Sequence, residues 1–539
     1  MKPSLPAVPA NSLLIVGKTV RRLIDWRPAW DREGRDPAWV VASQYLHNTF
    51  GNVKYLWGNA PAIDVLQLEK NESLHYQEDI ALLFAASGDL RNVVKTIADL
   101  PNSFEQNLHV SINDLDRVVV VRNVILLLLA LSATDAPSPE AGKDEDISEA
   151  LIHLWYSSFI TERVLGHLQK RVIPLISDAC DEASTLQPGA LMSKTWHFPP
   201  RKSLRVELRR EEWLRVKEFC EVPETLTYEK ARATRVSVTL APQRTDYRER
   251  WHFKELSPPV RVARQQFRED GLLLPFGYPR IGFHIPNPTI FYDGTTWPMD
   301  DKADPLTGWS IQEVYGTKTS AAADVYGKLF VHLRKVMKKF LDRLSIMSVD
   351  FEMVNMDAKE LLLHLAEDHY TRIEVSNISD AGYLGIRATL ATLTPLLQPP
   401  ERNPNATLIT LFLNAVMEIS KANGEKDSIS NMKKPMEYLP TPDWLSFSNP
   451  QGADMMRLWD SRALVMDVKK HFQKYMEIHR FNRVAADLKV VFKSRNTIIE
   501  EWPTQLKLQL KQKGAVEEFR ILLGSDFSGL EHYVEWRRV

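Results

Sequence analysis

The side chains best placed for ligand chemistry are Gly88 and Asp89, in a tight Ser-Gly-Asp turn, and Asn113, Asp114 and Asp116, which close a short apolar run downstream. A glycine at a strand-to-helix turn lets backbone amides approach an anion, and a carboxylate after the next strand can accept hydrogen bonds from ribose hydroxyls. A nucleotide-type crevice is the expectation. Only one glycine stands where a dinucleotide fingerprint has two or three, so the pattern equally suits a sheet that has lost its cofactor.

These residues need a scaffold, and the chain supplies one in two pieces. Ile80 to Ala86 is an unbroken apolar run of strand length, as in a parallel sheet covered on both faces. Leu90, Val93, Val94, Ile97 and Leu100 then keep helical spacing until Pro101, and Leu108 to Ile112 reads as a second strand. Arg117 to Leu131 is a helix apolar enough to be buried. The pattern resumes with strands at Asp350 to Asn355, Arg372 to Asn377 and Thr407 to Leu413, with Leu384 to Leu397 as the helix between the last two. The predicted fold is therefore α/β: a Rossmann- or methyltransferase-like parallel sheet split by a long insertion, with a helical C-terminal region.

In domain terms the reading is an N-terminal cap (1–50), the first part of the sheet (50–132), an inserted substrate or lid region (133–345), the second part (346–420) and a helical region (421–539). The cap has a proline-rich tail, an amphipathic Leu13 to Trp26 and tryptophans 30 and 39, and is expected to pack on the domain that follows. Asp135 to Asp146 reads as a solvent loop. Within the insertion, Thr234 to Leu240 alternates Val236, Val238 and Leu240 and predicts a strand, and residues 271–309 form a proline- and aromatic-rich stretch of little periodicity. Helices are expected over Ile147 to Ile176, Glu211 to Phe219 and Ala322 to Leu344.

With 68 basic and 69 acidic residues the formal charge is −1, so no global field draws nucleic acid or anionic membrane, and DNA is not expected as a partner. Any polyanion must use a local patch. Lys328 to Arg343 carries six basic residues against one acid, with Lys328, Arg334, Lys335, Lys338 and Lys339 as candidate contacts; Asp467 to Lys513 carries eleven against five, including Lys469 and Lys470. Solvated helix faces with paired charges explain the same patterns. Cys180 and Cys220 alone exclude a disulfide scaffold or a multi-cysteine zinc site, and His47, His109, His153, His284, His364, His369 and His471 lack paired metal spacing. A reduced, cytoplasmic setting without a membrane span is expected, and no metal.

Gly58-Asn59-Ala60-Pro61-Ala62, Ser87-Gly88-Asp89-Leu90-Arg91-Asn92, Asn113-Asp114 with Arg122-Asn123, and Glu374 through Asp380 resemble the fungal members of a family known only as a domain of unknown function. That domain is shared with axonemal dynein assembly factors and, in some fungal proteins, accompanies a MYND zinc finger, whose cysteines are missing here. Within the fungal group the chain is similar to arginine-containing cyclodipeptide synthases. The resemblance implies a secondary-metabolism enzyme that takes aminoacyl groups from tRNA, arginyl-tRNA among them, and closes an arginine-containing diketopiperazine. It also implies an Asp-x-x-Glu motif. Asp246-Tyr247-Arg248-Glu249 matches, as do Asp146 to Glu149 and Asp357 to Glu360; the first has aromatic and basic neighbours and opens the non-periodic insertion.

On that resemblance, Asp246 and Glu249 are the candidate catalytic carboxylates, one deprotonating an α-ammonium and the other pairing with guanidinium, in either assignment. Asp300, Asp301 and Asp304 are further guanidinium candidates, although aspartates beside proline also build turns. Gly88, Asp89, Asn113, Asp114, Ser376 and Asn377 complete the substrate-binding set, and the two basic faces would hold RNA. No cofactor is needed, because the ester is already activated. Two other readings compete: an S-adenosylmethionine-dependent methyltransferase-like protein, with Asp114 or Asp116 on the ribose and Asp357 near the adenine, and a non-enzymatic assembly factor.

Overall fold

A computed structural model describes residues 27–41, 49–134, 146–253, 257–422, 433–439 and 449–539. The proline-rich tail, the amphipathic segment 13–26, His47 and positions 135–145 of the acidic loop lie outside the described residues. The protein is mixed α/β, built on a large, mostly parallel sheet. In chain order the strands are β1 (Ile80–Ala85), β2 (Leu108–Asp114), β3 (Phe159–Ile160), β4 (Leu191–Phe198), β5 (Lys202–Arg209), β6 (Ile285–Pro286), β7 (Val349–Asn355), β8 (Arg372–Glu374), β9 (Thr407–Phe412), β10 (Val490–Phe492) and β11 (His532–Arg538). Nine of them form one sheet in the order β10-β11-β9-β8-β1-β2-β7-β5-β4, and β3 pairs with β6 apart from it.

The order follows from the hydrophobic pattern. β1 and β9 are buried at every residue, so helices must cover both faces. Helix Arg117–Ala133 is apolar all round and almost wholly buried, which fits a position inside the core and no amphipathic role. β1 runs parallel to β2 on one side and β8 on the other, so the chain's winding reverses at β1. Crevices that take ligands open outside the carboxyl ends of parallel strands at such a reversal.

The predicted strands and helices of the two sheet halves are all present, with boundaries moved by a few residues. Two expectations are corrected. Thr234 to Leu240 is not a strand: helix Tyr228–Thr239 runs through it, with Ala231, Arg235 and Thr239 buried at helical spacing, and Arg235 donates to the carbonyls of Phe267 and Arg268. The C-terminal region is not only helical, because β11 lies antiparallel between β9 and β10. Of the N-terminal segment, the described residues 27–41 meet the insertion and the C-terminal region, where Trp30 and Trp39 cluster with Tyr247 and Met456. The insertion contributes strands to the same sheet. Its hairpin β4-β5 extends the sheet beyond β7.

Candidate functional site

The turn after β1 has the left-handed backbone expected of Gly88, at φ +59. Its amide does not point at an open crevice. Asp114 accepts it at 2.8 Å, and Asn123 donates to the Gly88 carbonyl at 2.8 Å. Burial pushes the Asp114 carboxyl above the usual range, partly offset by the Asp116 and Gly88 amides it accepts. Asp89, fully buried, accepts the Gly58 amide at 2.8 Å and the Arg91 guanidinium at 2.6 Å. The neighbouring side chains bind the same stretch: Arg91 donates to the Ala60 carbonyl, Asn92 accepts the Ile63 amide, Thr96 accepts the Val65 amide and Arg122 donates to the Leu56 carbonyl.

Residues 56–65 are thus laid over the β1 turn and fastened through their backbone. A Cβ at Gly58 would sit 2.1 to 2.4 Å from the Arg91 guanidinium, which explains the glycine. These are the residues of the Gly-Asn-Ala-Pro-Ala, Gly-Asp-Leu-Arg-Asn and Arg-Asn strings, and together they hold residues 56–65 to the turn. Asp116 caps helix Arg117–Ala133 and pairs with Lys54, and Asp357 caps the turn Ala358–Glu360. Asn113 is buried beneath the Met356 backbone. Ser376 donates its amide to Glu374 and takes the Leu411 amide on its carbonyl; the Asn377 carbonyl takes the Asp380 amide. The Gly88 amide and one Asp114 oxygen are thus bonded to each other.

Asp246 and Glu249 lie on one side of a turn that passes from α-helix into π-helix. Asp246 is buried, and Arg35 donates to both its oxygens at 2.7 and 2.8 Å while the Ala38 amide adds a third bond. Glu249 accepts the Ala29 amide and stands 3.8 Å from Arg32; burial raises its affinity for a proton. Both carboxylates grip residues 27–41. The other two Asp-x-x-Glu matches begin at helix caps, Asp146 and Asp357.

The aspartates of the aromatic stretch divide. Asp301 pairs with buried Arg244 at 2.7 Å, Asp304 caps the turn Pro305–Gly308 and accepts the Tyr326 hydroxyl, and Asp300 accepts the Lys302 and Ala303 amides on one oxygen. Asp300 and Asp304 face a cavity of about 1010 Å³ that sequence reasoning did not anticipate, because its walls come from widely separated parts of the chain. Trp39, Tyr55, Trp251 and Trp459 contribute rings; Lys54, Arg250, Lys302 and Arg462 contribute cations. Met417 follows β9, and Leu530 precedes β11, whose His532 pairs with the last residue of β9. The cavity accordingly opens at the carboxyl end of the parallel strands.

Of the basic candidates, Lys328 is corrected: it is buried and donates to the Tyr315 and Thr317 carbonyls at 2.7 Å, so it cannot reach a polyanion. Arg334 is exposed but paired with Asp146 and Glu149. Lys335, Lys338, Lys339, Lys469 and Lys470 are exposed.

Residues 56–160 match a family model described as a domain of unknown function, DUF4470. Over 82 residues the chain is 34% identical to dynein axonemal assembly factor 3 of Danio rerio, covering 15% of this chain and 17% of that protein. No solved structure matches.

Proposed function

We propose that the protein is a non-enzymatic assembly factor whose Rossmann- or methyltransferase-type sheet serves as a scaffold and not as a cofactor site. The order β7-β2-β1-β8-β9 followed by an antiparallel β11 supports the fold-type reading. The observation that carries the functional one is the Asp114 bond to the Gly88 amide, which spends on each other the two groups a nucleotide would use. The stretch of similarity to a dynein assembly factor points the same way.

The reading predicts stoichiometric suppression of light scattering by an unfolding client protein and no heat on titration with S-adenosylmethionine. Micromolar binding of that compound, or a small-molecule product, overturns it. Cytoplasmic residence belongs to the same proposal; no helix among the described residues is long and apolar enough to cross a membrane.

One observation favours a second reading, the tRNA-dependent synthase joining arginine to another amino acid. Asp246 already holds a guanidinium bidentately, the geometry by which an arginine side chain is recognised. In that reading Arg35 gives way to arginyl-tRNA, Glu249 serves as the base, and the exposed lysines hold RNA. Expression in a host that supplies charged tRNA, with mass spectrometry of the medium, decides it. An arginine-containing diketopiperazine that disappears in Asp246→Asn and Glu249→Gln selects the synthase; a soluble wild type without product rejects it.

A further inference from the structure

Residues 27–41 are seated on distant parts of the chain as a separate peptide would be. Arg35 and the Ala38 amide bond Asp246, the Ala29 amide bonds Glu249, the Trp30 indole donates to the Gln451 carbonyl at 2.8 Å, and Asn449 donates to Asp31 at 2.7 Å. These bonds cross between 208 and 421 residues of sequence. Each carboxylate repeats one pattern, a backbone amide plus a guanidinium: Ala38 with Arg35 on Asp246, Ala29 with Arg32 at 3.8 Å on Glu249. The amide fixes main chain of any sequence, and the bidentate fork selects arginine over lysine. The donors lie outermost, with the Arg35 and Arg32 side chains 41% and 62% exposed over carboxylates that are 4% and 16% exposed. Rings from both sides interleave: Trp39 lies edge-on to Trp30 at 5.0 Å and to Tyr247 at 5.4 Å, and Tyr247 tilts against Trp251 at 5.8 Å. Trp39 and Val40 also line the large cavity, so lifting the segment opens that wall.

We infer that the surface carrying Asp246, Tyr247, Glu249, Trp251 and Met456 is a docking groove for a short segment of a partner protein in which arginine stands near tryptophan, and that residues 27–41 occupy it until such a segment displaces them. The chemistry of the occupant is read from the groove: two carboxylates set for guanidinium and amide, beside aromatic rings. A tethered occupant competes at an effective concentration on the order of millimolar, so the groove stays shut to weak ligands. The inference rests on the scaffold reading, because the partner is the client that a scaffold would hold.

The test is fluorescence anisotropy of a labelled synthetic peptide of residues 27–41, titrated with the full chain and with its Arg35→Ala variant. The peptide should bind Arg35→Ala, whose own segment is weakened, at least tenfold more tightly than wild type. A peptide carrying Arg35→Lys should bind that variant at least tenfold more weakly, because an ammonium does not span both Asp246 oxygens, and Asp246→Asn in the same chain should have the same effect. Absence of saturable binding by folded Arg35→Ala overturns the inference, as do equal affinities for the two chains or for the two peptides. A wild-type dimer in light scattering that the peptide dissociates makes a second copy the occupant and overturns the partner assignment. Since Asp246→Asn can fail through misfolding, the lysine peptide carries the decision. Lost peptide binding with client scattering still suppressed removes the groove alone; loss of both removes the scaffold reading with it.

Discussion

At Asp246 a single carboxylate decides where the N-terminal segment lies. Its two oxygens take the Arg35 fork and the Ala38 amide. Arg35→Ala should leave a buried acceptor short of partners, a cost of about 1–3 kcal/mol felt locally. Limited proteolysis should then cut residues 27–41 several-fold faster while the rest of the chain stays intact. Unchanged cleavage would mean that the tryptophans alone hold the segment.

Two other carboxylates set a pH dependence. Burial pushes Asp64 and Asp380 up to about 6, against amide donors that oppose the shift. Both bind a proton more tightly folded than unfolded. Their contribution to stability is full below an unfolded value near 4, and it is lost as pH rises through about 6. The double variant Asp64→Asn, Asp380→Asn should therefore narrow its gap to wild type, or pass it, between pH 4.5 and 7 in urea melts. A gap that widens over that range would reverse the assignment.

Among elements, those whose burial is uniform were the readable ones. Ile80–Ala85 and Thr407–Phe412 are continuous apolar runs, and runs of that length between turn residues have few other uses. What misled was polar burial. Helix Tyr228–Thr239 hides Arg235 by giving its donors to carbonyls, so its apolar periodicity is weak and Val236, Val238 and Leu240 mimic a strand. β11 was obscured because Glu535 lies in its buried middle, where Lys493 and the amides of Thr497, Ile498 and Ile499 satisfy it. Lys328 reads as surface charge for the same reason. The segment 56–65 offers an element-scale test: Gly58→Ala drives a methyl into Arg91, which is locked by Asp89 and Ala60. We expect a loss of about 1–3 kcal/mol in chemical denaturation, the overpacking range, and partial recovery in Gly58→Ala, Arg91→Lys. A neutral Gly58→Ala would show that the segment is loosely seated.

On the scale of the whole molecule, the cavity could not be read from any one stretch, since Trp39, Tyr55, Trp251, Trp459 and Phe527 meet only when the fold is complete. The buried pair Glu72–Arg372, 2.7 Å apart with neither side chain exposed, joins the two sheet halves across the insertion. Glu72→Gln should cost about 3–5 kcal/mol, as removal of one partner of a fully buried pair does, seen as a lower urea midpoint with an unchanged slope. A shift too small to resolve would show that water reaches Arg372.

The interleaving of β1 with β8, whose neighbours Ala81 and Thr371 lie 290 residues apart, also has a consequence for synthesis. At ribosomal rates, β1 and β2 leave the exit tunnel ten seconds or more before their outer partners exist. Two greasy strands with unpaired margins must wait that long without sticking to another polypeptide. A cell making this protein needs holding chaperones at the nascent stage, and slowing elongation across the insertion should lower the yield of soluble product.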